Sequence, residues 1–219
     1  MAKRGLMTEG TIWKQLFLFS VPLLLGNLFQ QMYNAVDSIV VGNYIGSKAL
    51  AAVGSSAPVI NLLVSFFMGI SVGAGVIISR YFGARNKEGL QDSIHTSLAF
   101  SIAAGIVMTI VGVSLSPLIL RLIGTPDDVM NSSVLYLRIY FCGILSVLLY
   151  NMGSGILRAV GDSKNPLYFL IVSSVTNILL DLLFVVVFKM GIAGVGWATL
   201  ISQTISAILT LLLLVKTKQ

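Results

Sequence analysis

Two carboxylates stand inside runs that otherwise read as membrane-spanning helices: Asp37 in QQMYNAVDSIVVG and Asp181 in VTNILLDLLFVVVF. A charged side chain at the centre of a bilayer costs at least about 3 kcal/mol on insertion scales, so an acid kept there is expected to bind a cation, relay a proton or grip a substrate. Gln30, Tyr33, Asn34 and Asp37 recur at spacings of three and four. That places them on one helix face, opposite a face of Leu, Val and Ile. A polar stripe of this kind should face a cavity or neighbouring helices. The competing reading is that Gly42 and Asn43 end the helix soon after Asp37 and leave the acid solvated at the outer interface. Asp181 has apolar neighbours on both sides, and Asn177 precedes it by one turn. The two can share a hydrogen bond or jointly coordinate a cation. The competing reading there is a protonated acid that only joins helices. Burial disfavours a charged carboxylate and a bound cation favours it, which is the chemistry a coupled carrier needs.

The sixth apolar run is polar for a membrane span: Thr199, Gln203 and Ser206 share a face, with Ser202 and Thr204 beside them. Gly69, Gly73 and Gly75 form GxxxG and GxG spacings in the second run and are expected to let helices approach closely. His95, the single histidine, is expected to be solvated or capping at the start of the third helix. Cys142 is the single cysteine, so neither a disulfide nor a transition-metal centre is expected. No Walker phosphate loop is present, and no nucleophile, base and orienting group form a set, so enzyme chemistry is not expected. No cofactor is expected either.

These residues need elements that hold them at membrane depth. The 219-residue chain is 56% hydrophobic and only 10% charged, against about 25% charged in a soluble domain. Lipid must therefore be part of its solvent. Six apolar runs, roughly 15–42, 52–80, 93–116, 133–157, 167–188 and 193–215, are each long enough to cross about 30 Å of hydrocarbon. The fold class is thus all-α, a six-transmembrane-helix bundle. Pro22 marks a place for a bend in the first helix. Short links, including Gly83–Gly89, Pro117–Asn131 and Gly161–Pro166, predict that successive helices are antiparallel neighbours.

The net charge is +6, but the excess lies in short loops, which points to membrane orientation and not to nucleic acid. One side receives Lys3, Arg4, Lys14, Arg80, Arg85, Lys87, Arg158, Lys164, Lys216 and Lys218. The other receives Lys48, Arg121 and Lys189, with Arg138 left near the fourth helix. Both termini are therefore expected in the cytoplasm. The first apolar stretch is too long for a cleavable signal core and is expected to remain as a helix. A six-helix unit with both ends on one side can be followed by a second in the same orientation.

The segments FSVPLLLGNLFQQMYNAVDSIVVGNYIGSKALAAVG, GAGVIISRYFGARN, YLRI, ILRAVGDSKNP, NILLDLLFV and GVGWAT occur in that order. With them the whole chain resembles the N-terminal half of the multidrug and toxic compound extrusion (MATE) transporters. The resemblance implies one six-helix lobe of a twelve-helix carrier in the cytoplasmic membrane. Such carriers exchange protons or sodium ions for cationic or amphiphilic compounds by rocking between two open states. It implies a cation site at Asp37, Asn177, Asp181 and Thr199, with Tyr33 and Gln30 one and two turns before the first acid. It also implies a gating bend at Pro22. The second lobe of the family is absent from these 219 residues, so either a C-terminal lobe or a second copy is the expected partner. Two other readings remain at this point. A flippase for lipid-linked saccharides should line its cleft with more cations than Arg138 alone. A non-transporting scaffold should tolerate loss of both acids.

Overall fold

Thr11 is the first described residue, and its extended backbone leads straight into a helix that runs for 29 residues. The computed structural model describes residues 11–217. Lys3, Arg4 and Lys218 of the charge count lie outside them. The elements are α1 (Ile12–Val40), α2 (Ser47–Gly83), α3 (Lys87–Leu122), α4 (Asp127–Ala159), α5 (Lys164–Asp181) and α6 (Ile192–Thr217). Two π-helical segments interrupt the series, π1 (Val41–Ile45) after α1 and π2 (Leu182–Val187) after α5. Among the described residues there is no strand, and six helical spans are long and apolar enough to cross a membrane. The chain is an all-α, multi-pass membrane protein.

The helices run further than the apolar runs. α3 starts at Lys87 and not near residue 93, because the Asn86 side chain accepts the Gly89 N–H at 3.0 Å and caps the first turn. His95 therefore lies about two turns inside α3, exposed, and not at the helix start. The connection expected over Pro117–Asn131 shrinks to residues 123–126. Pro117 sits inside α3, where it has no N–H to give the carbonyl of Val113. Arg138 of α4 supplies the missing donor, its Nε reaching the Val113 carbonyl at 3.2 Å. At the start of α5 the Asp162 carboxylate accepts the Asn165 N–H at 3.1 Å. Gly46, at φ 111°, makes the turn from π1 into α2 that a side chain would strain.

Successive helices are not always neighbours. α4 is the centre, packed on α2, α3 and α6, while α1 leans mainly on α5, which in turn packs on α6. The reason is side-chain distribution. Half of the most apolar stretch of α4 is buried, against 6% of that of α1, and Trp13, Phe17, Leu24 and Leu28 of α1 all face outward. Lipid gives helices no hydrophobic reason to associate, so small residues that permit close contact decide who packs on whom.

Those small residues are not the ones the GxxxG spacing suggested. Gly69 and Gly73 are exposed, and a Cβ on either would meet nothing within 4 Å. Gly75 has only ordinary contacts, with Gly155 and Ala159. The close approaches fall on α3 and α4 instead: Gly112 lies under the Phe141 ring, Gly105 against Leu145, Gly153 against Thr210 and Gly155 against Ser71. A GxxxG motif reports two small residues on one face but not which face meets a partner. Hydroxyls complete the seams. Ser71 donates to the Asn151 carbonyl at 2.9 Å, Ser173 to that of Ser202 at 2.9 Å and Ser206 to that of Phe169 at 3.3 Å.

Candidate cation site

Both acids sit at the same kind of place in their helices. Asp37 lies in the last turn of α1, immediately before π1, and Asp181 is the last residue of α5, immediately before π2. Single-turn π segments recur at functional sites, because the wider turn re-aims the side chains around it. The sequence carries no evident signal for either one. The two carboxyls lie close enough to share a hydrogen bond if one of them holds a proton.

Burial is nearly complete. Asp37 is 9% exposed, and Asn177 and Asp181 are fully buried. This removes the reading in which Asp37 is solvated at the interface. Thr199 of α6 joins the cluster as its hub: its hydroxyl oxygen accepts from the Tyr33 phenol at 3.4 Å and from Asn177 Nδ2 at 3.5 Å. Four oxygens remain without a hydrogen-bond partner: Asp37 Oδ1, Asn177 Oδ1 and both carboxylate oxygens of Asp181. Buried, unpaired anionic oxygens are costly, so the cluster is stable only when a proton or a cation satisfies them. Its donor set is carboxylate, amide and hydroxyl oxygen, which suits a proton or a hard cation rather than a transition metal. Among the described residues no group of three or more His, Cys, Asp or Glu stands ready to hold a metal ion.

The remaining residues of the polar stripe separate. Tyr33 turns inward with Asp37. Asn34 is exposed, and Gln30 donates to its side-chain oxygen at 3.4 Å, so that pair sits on the open face of α1. Pro22 is buried but lies fifteen residues before Asp37, about 22 Å along the helix axis. It cannot touch the acids. Of the polar residues of α6, Thr199 faces the cluster, Ser202 and Ser206 pair with backbone, and Thr204 pairs with Ser146 at 3.0 Å.

Two residues that sequence reasoning missed complete the surroundings. Tyr136 of α4 is buried beside Asp37, Asp181 and Tyr33, and Tyr140, one turn on, lies near Tyr33. Their signal was a pair of phenols four apart in an apolar span. A cavity of about 10 Å³, room for one water, lies between α4 and α6, lined by Tyr140, Gly143, Val147, Thr199, Leu200 and Gln203. On the loop side of the acids, Val40, Val41, Val185, Ile192 and Val195 form a dry layer that joins π1, π2 and α6.

This arrangement has counterparts of known family. The family model described as MatE matches residues 22–183. Probable multidrug resistance protein YpnP of Bacillus subtilis (strain 168) is 38% identical over 211 residues, covering 96% of this chain and 47% of that protein. Probable multidrug resistance protein YoeA of the same organism is 40% identical over 216 residues, covering 97% and 46%. The crystal structures described as MATE in the bent conformation and MATE in the straight conformation both superpose at a TM-score of 0.86 and 30% identity. The chain covers 45% and 46% of them, and they cover 92% and 94% of it. The chain thus spans about half the length of the curated relatives it matches. A match over most of the helical core, with relatives named as multidrug resistance proteins and no enzyme among them, leaves one conclusion: the chain belongs to the MATE family.

Proposed function

We propose that this chain is the N-terminal lobe of a cation-coupled multidrug exporter of the cytoplasmic membrane, with both termini in the cytoplasm. It exchanges protons or sodium ions for cationic or amphiphilic compounds. The observation that carries this reading is the set of four buried, unpartnered oxygens at Asp37, Asn177 and Asp181. A scaffold would have no reason to keep them, since removing buried charge costs a merely structural protein little or nothing.

In this reading the acids are ionised in the hydrated state of the lobe. A proton or sodium ion arriving from outside neutralises them. The hydrogen bonds from Tyr33 and Asn177 to Thr199 rearrange, α1 bends near Pro22, and the drug leaves outward. A second six-helix unit, either a C-terminal lobe or another copy, completes the cleft. Supporting this, Gln31 and Asn34 of α1 and Asn61 and Ser65 of α2 are exposed within apolar spans. Polar side chains at that depth belong against water or protein and not against lipid.

The test is radioactive sodium binding and proton uptake by the purified chain in nanodiscs, followed by dye efflux from vesicles carrying the complete assembly. Wild type should bind one of the two ions, and Asp37→Asn and Asp181→Asn should each lose both binding and efflux. Wild-type efflux by both variants would sink the reading.

A further inference from the structure

Arg138 lies outside the cation site and has its own geometry. It is the one charged residue between Asp128 and Arg158. Arg138 and Arg158 are twenty residues apart on one helix, about 30 Å, which is the thickness of the hydrocarbon layer. A charge-free stretch of that length is what a span of the hydrocarbon needs, and it puts Arg138 towards its α3–α4 loop end. Asp127–Leu137 continue α4 beyond Arg138 by about 16 Å. Arg138 is exposed, on a stripe with Leu135 and Cys142 that faces away from the bundle.

An exposed arginine at a boundary usually swings along its own helix towards water. This one is held. Pro117 leaves the Val113 carbonyl without its helical donor, and Arg138 Nε fills the gap at 3.2 Å. A guanidinium has five N–H donors, so four remain on its two terminal nitrogens. Among the described residues they have no acceptor. The fork is thus fixed by a backbone defect of α3, with its terminal nitrogens on the exposed side of α4. Deeper along the same two helices Ile106, Ile110 and Cys142 are exposed, a surface that acyl chains can cover.

We propose that Arg138, held by the Val113 carbonyl that Pro117 frees, is a binding site for the phosphate of an anionic phospholipid in the leaflet on the α3–α4 loop side. Paired N–H donors fit two phosphate oxygens at once, which an ammonium cannot do. The identity of that leaflet as the outer one rests on the orientation proposed above. The site itself does not depend on ion coupling.

Native mass spectrometry of the whole chain, released from nanodiscs of mixed phosphatidylcholine and phosphatidylglycerol, tests it. Wild type should retain one phosphatidylglycerol through collisional activation. Arg138→Gln should lower that occupancy about fivefold, the scale set by one basic residue at a membrane surface. Arg121→Gln, another exposed cation on the same side, should leave it unchanged, and Pro117→Ala should lower it by unpinning the fork. Inorganic phosphate added in detergent should not displace the lipid. Equal retention by Arg138→Gln would overturn the proposal, as would displacement by inorganic phosphate. Should Arg138→Gln not fold, absence of any preference for phosphatidylglycerol by wild type would overturn it as well.

Discussion

Tyr33 and Thr199 stand 166 residues apart in the chain and meet hydroxyl to hydroxyl at 3.4 Å. Asn177 reaches the same threonine oxygen from α5 at 3.5 Å. Thr199 therefore links α1, α5 and α6 through one atom. Thr199→Val keeps the shape and removes the acceptor, leaving the Tyr33 and Asn177 donors unpaired. We expect cation affinity to fall about tenfold or more, the scale of losing two hydrogen bonds that order the site. Thr199→Ser should retain most of it. A binding titration on both variants checks this, and equal affinities would remove Thr199 from the site.

Asp181 is fully buried and neither of its oxygens has a hydrogen-bond partner. Replacing a buried charge with a neutral group of similar shape is often neutral or stabilising. Asp181→Asn should therefore keep or raise the thermal midpoint while ion binding disappears. A drop in the midpoint with binding preserved would make the residue structural.

Gly105 and Gly69 are expected to behave oppositely. A methyl on Gly105 would stand 2.6 Å from Leu145 Cδ1 and 2.9 Å from its Cα, and the latter atom cannot rotate away. Gly105→Ala should cost about 1–3 kcal/mol, as overpacking does. At Gly69 the space is open, and alanine is the better helix former, so Gly69→Ala should be neutral or slightly stabilising. Unfolding in mixed detergent measures both.

Pro22 is too far from the acids to bind an ion, so Pro22→Ala should separate binding from movement. It restores an N–H to the Leu18 carbonyl and removes the weak point at which α1 can bend. The expected result is ion affinity like wild type in the purified chain with efflux lost in the complete assembly. Loss of both together would place Pro22 in the folding of the site instead.

Much of this was legible in the chain. Six helices follow from apolar runs, because lipid admits few other structures. Asp37 and Asp181 announce themselves by their cost. Three features were not legible, each for a physical reason. Gln30 and Asn34 share a stripe with Tyr33 and Asp37 by spacing, yet they turn to the open face. A helical stripe is about as wide as a neighbouring helix, and α5 covers only part of it. Gly69 and Gly73 have the motif but no partner, because pairing is decided by α4, not by the helix that bears the motif. The helical continuation through Pro117 depends on a side chain 21 positions later, and no local rule sees Arg138. The family resemblance, by contrast, reached the cluster of Asp37, Asn177, Asp181 and Thr199, which the structure brings together.

α1 rests mainly on α5, and α4 is enclosed on three sides. Local stability follows local contact, so the bundle does not give way evenly. Pulled by its first helix, it would shed α1 as one early rupture and hold α4 to the last. That rupture would part Asp37 from Asp181 before the centre was disturbed. The seam that holds the two acids together is also the bundle's mechanical fault line.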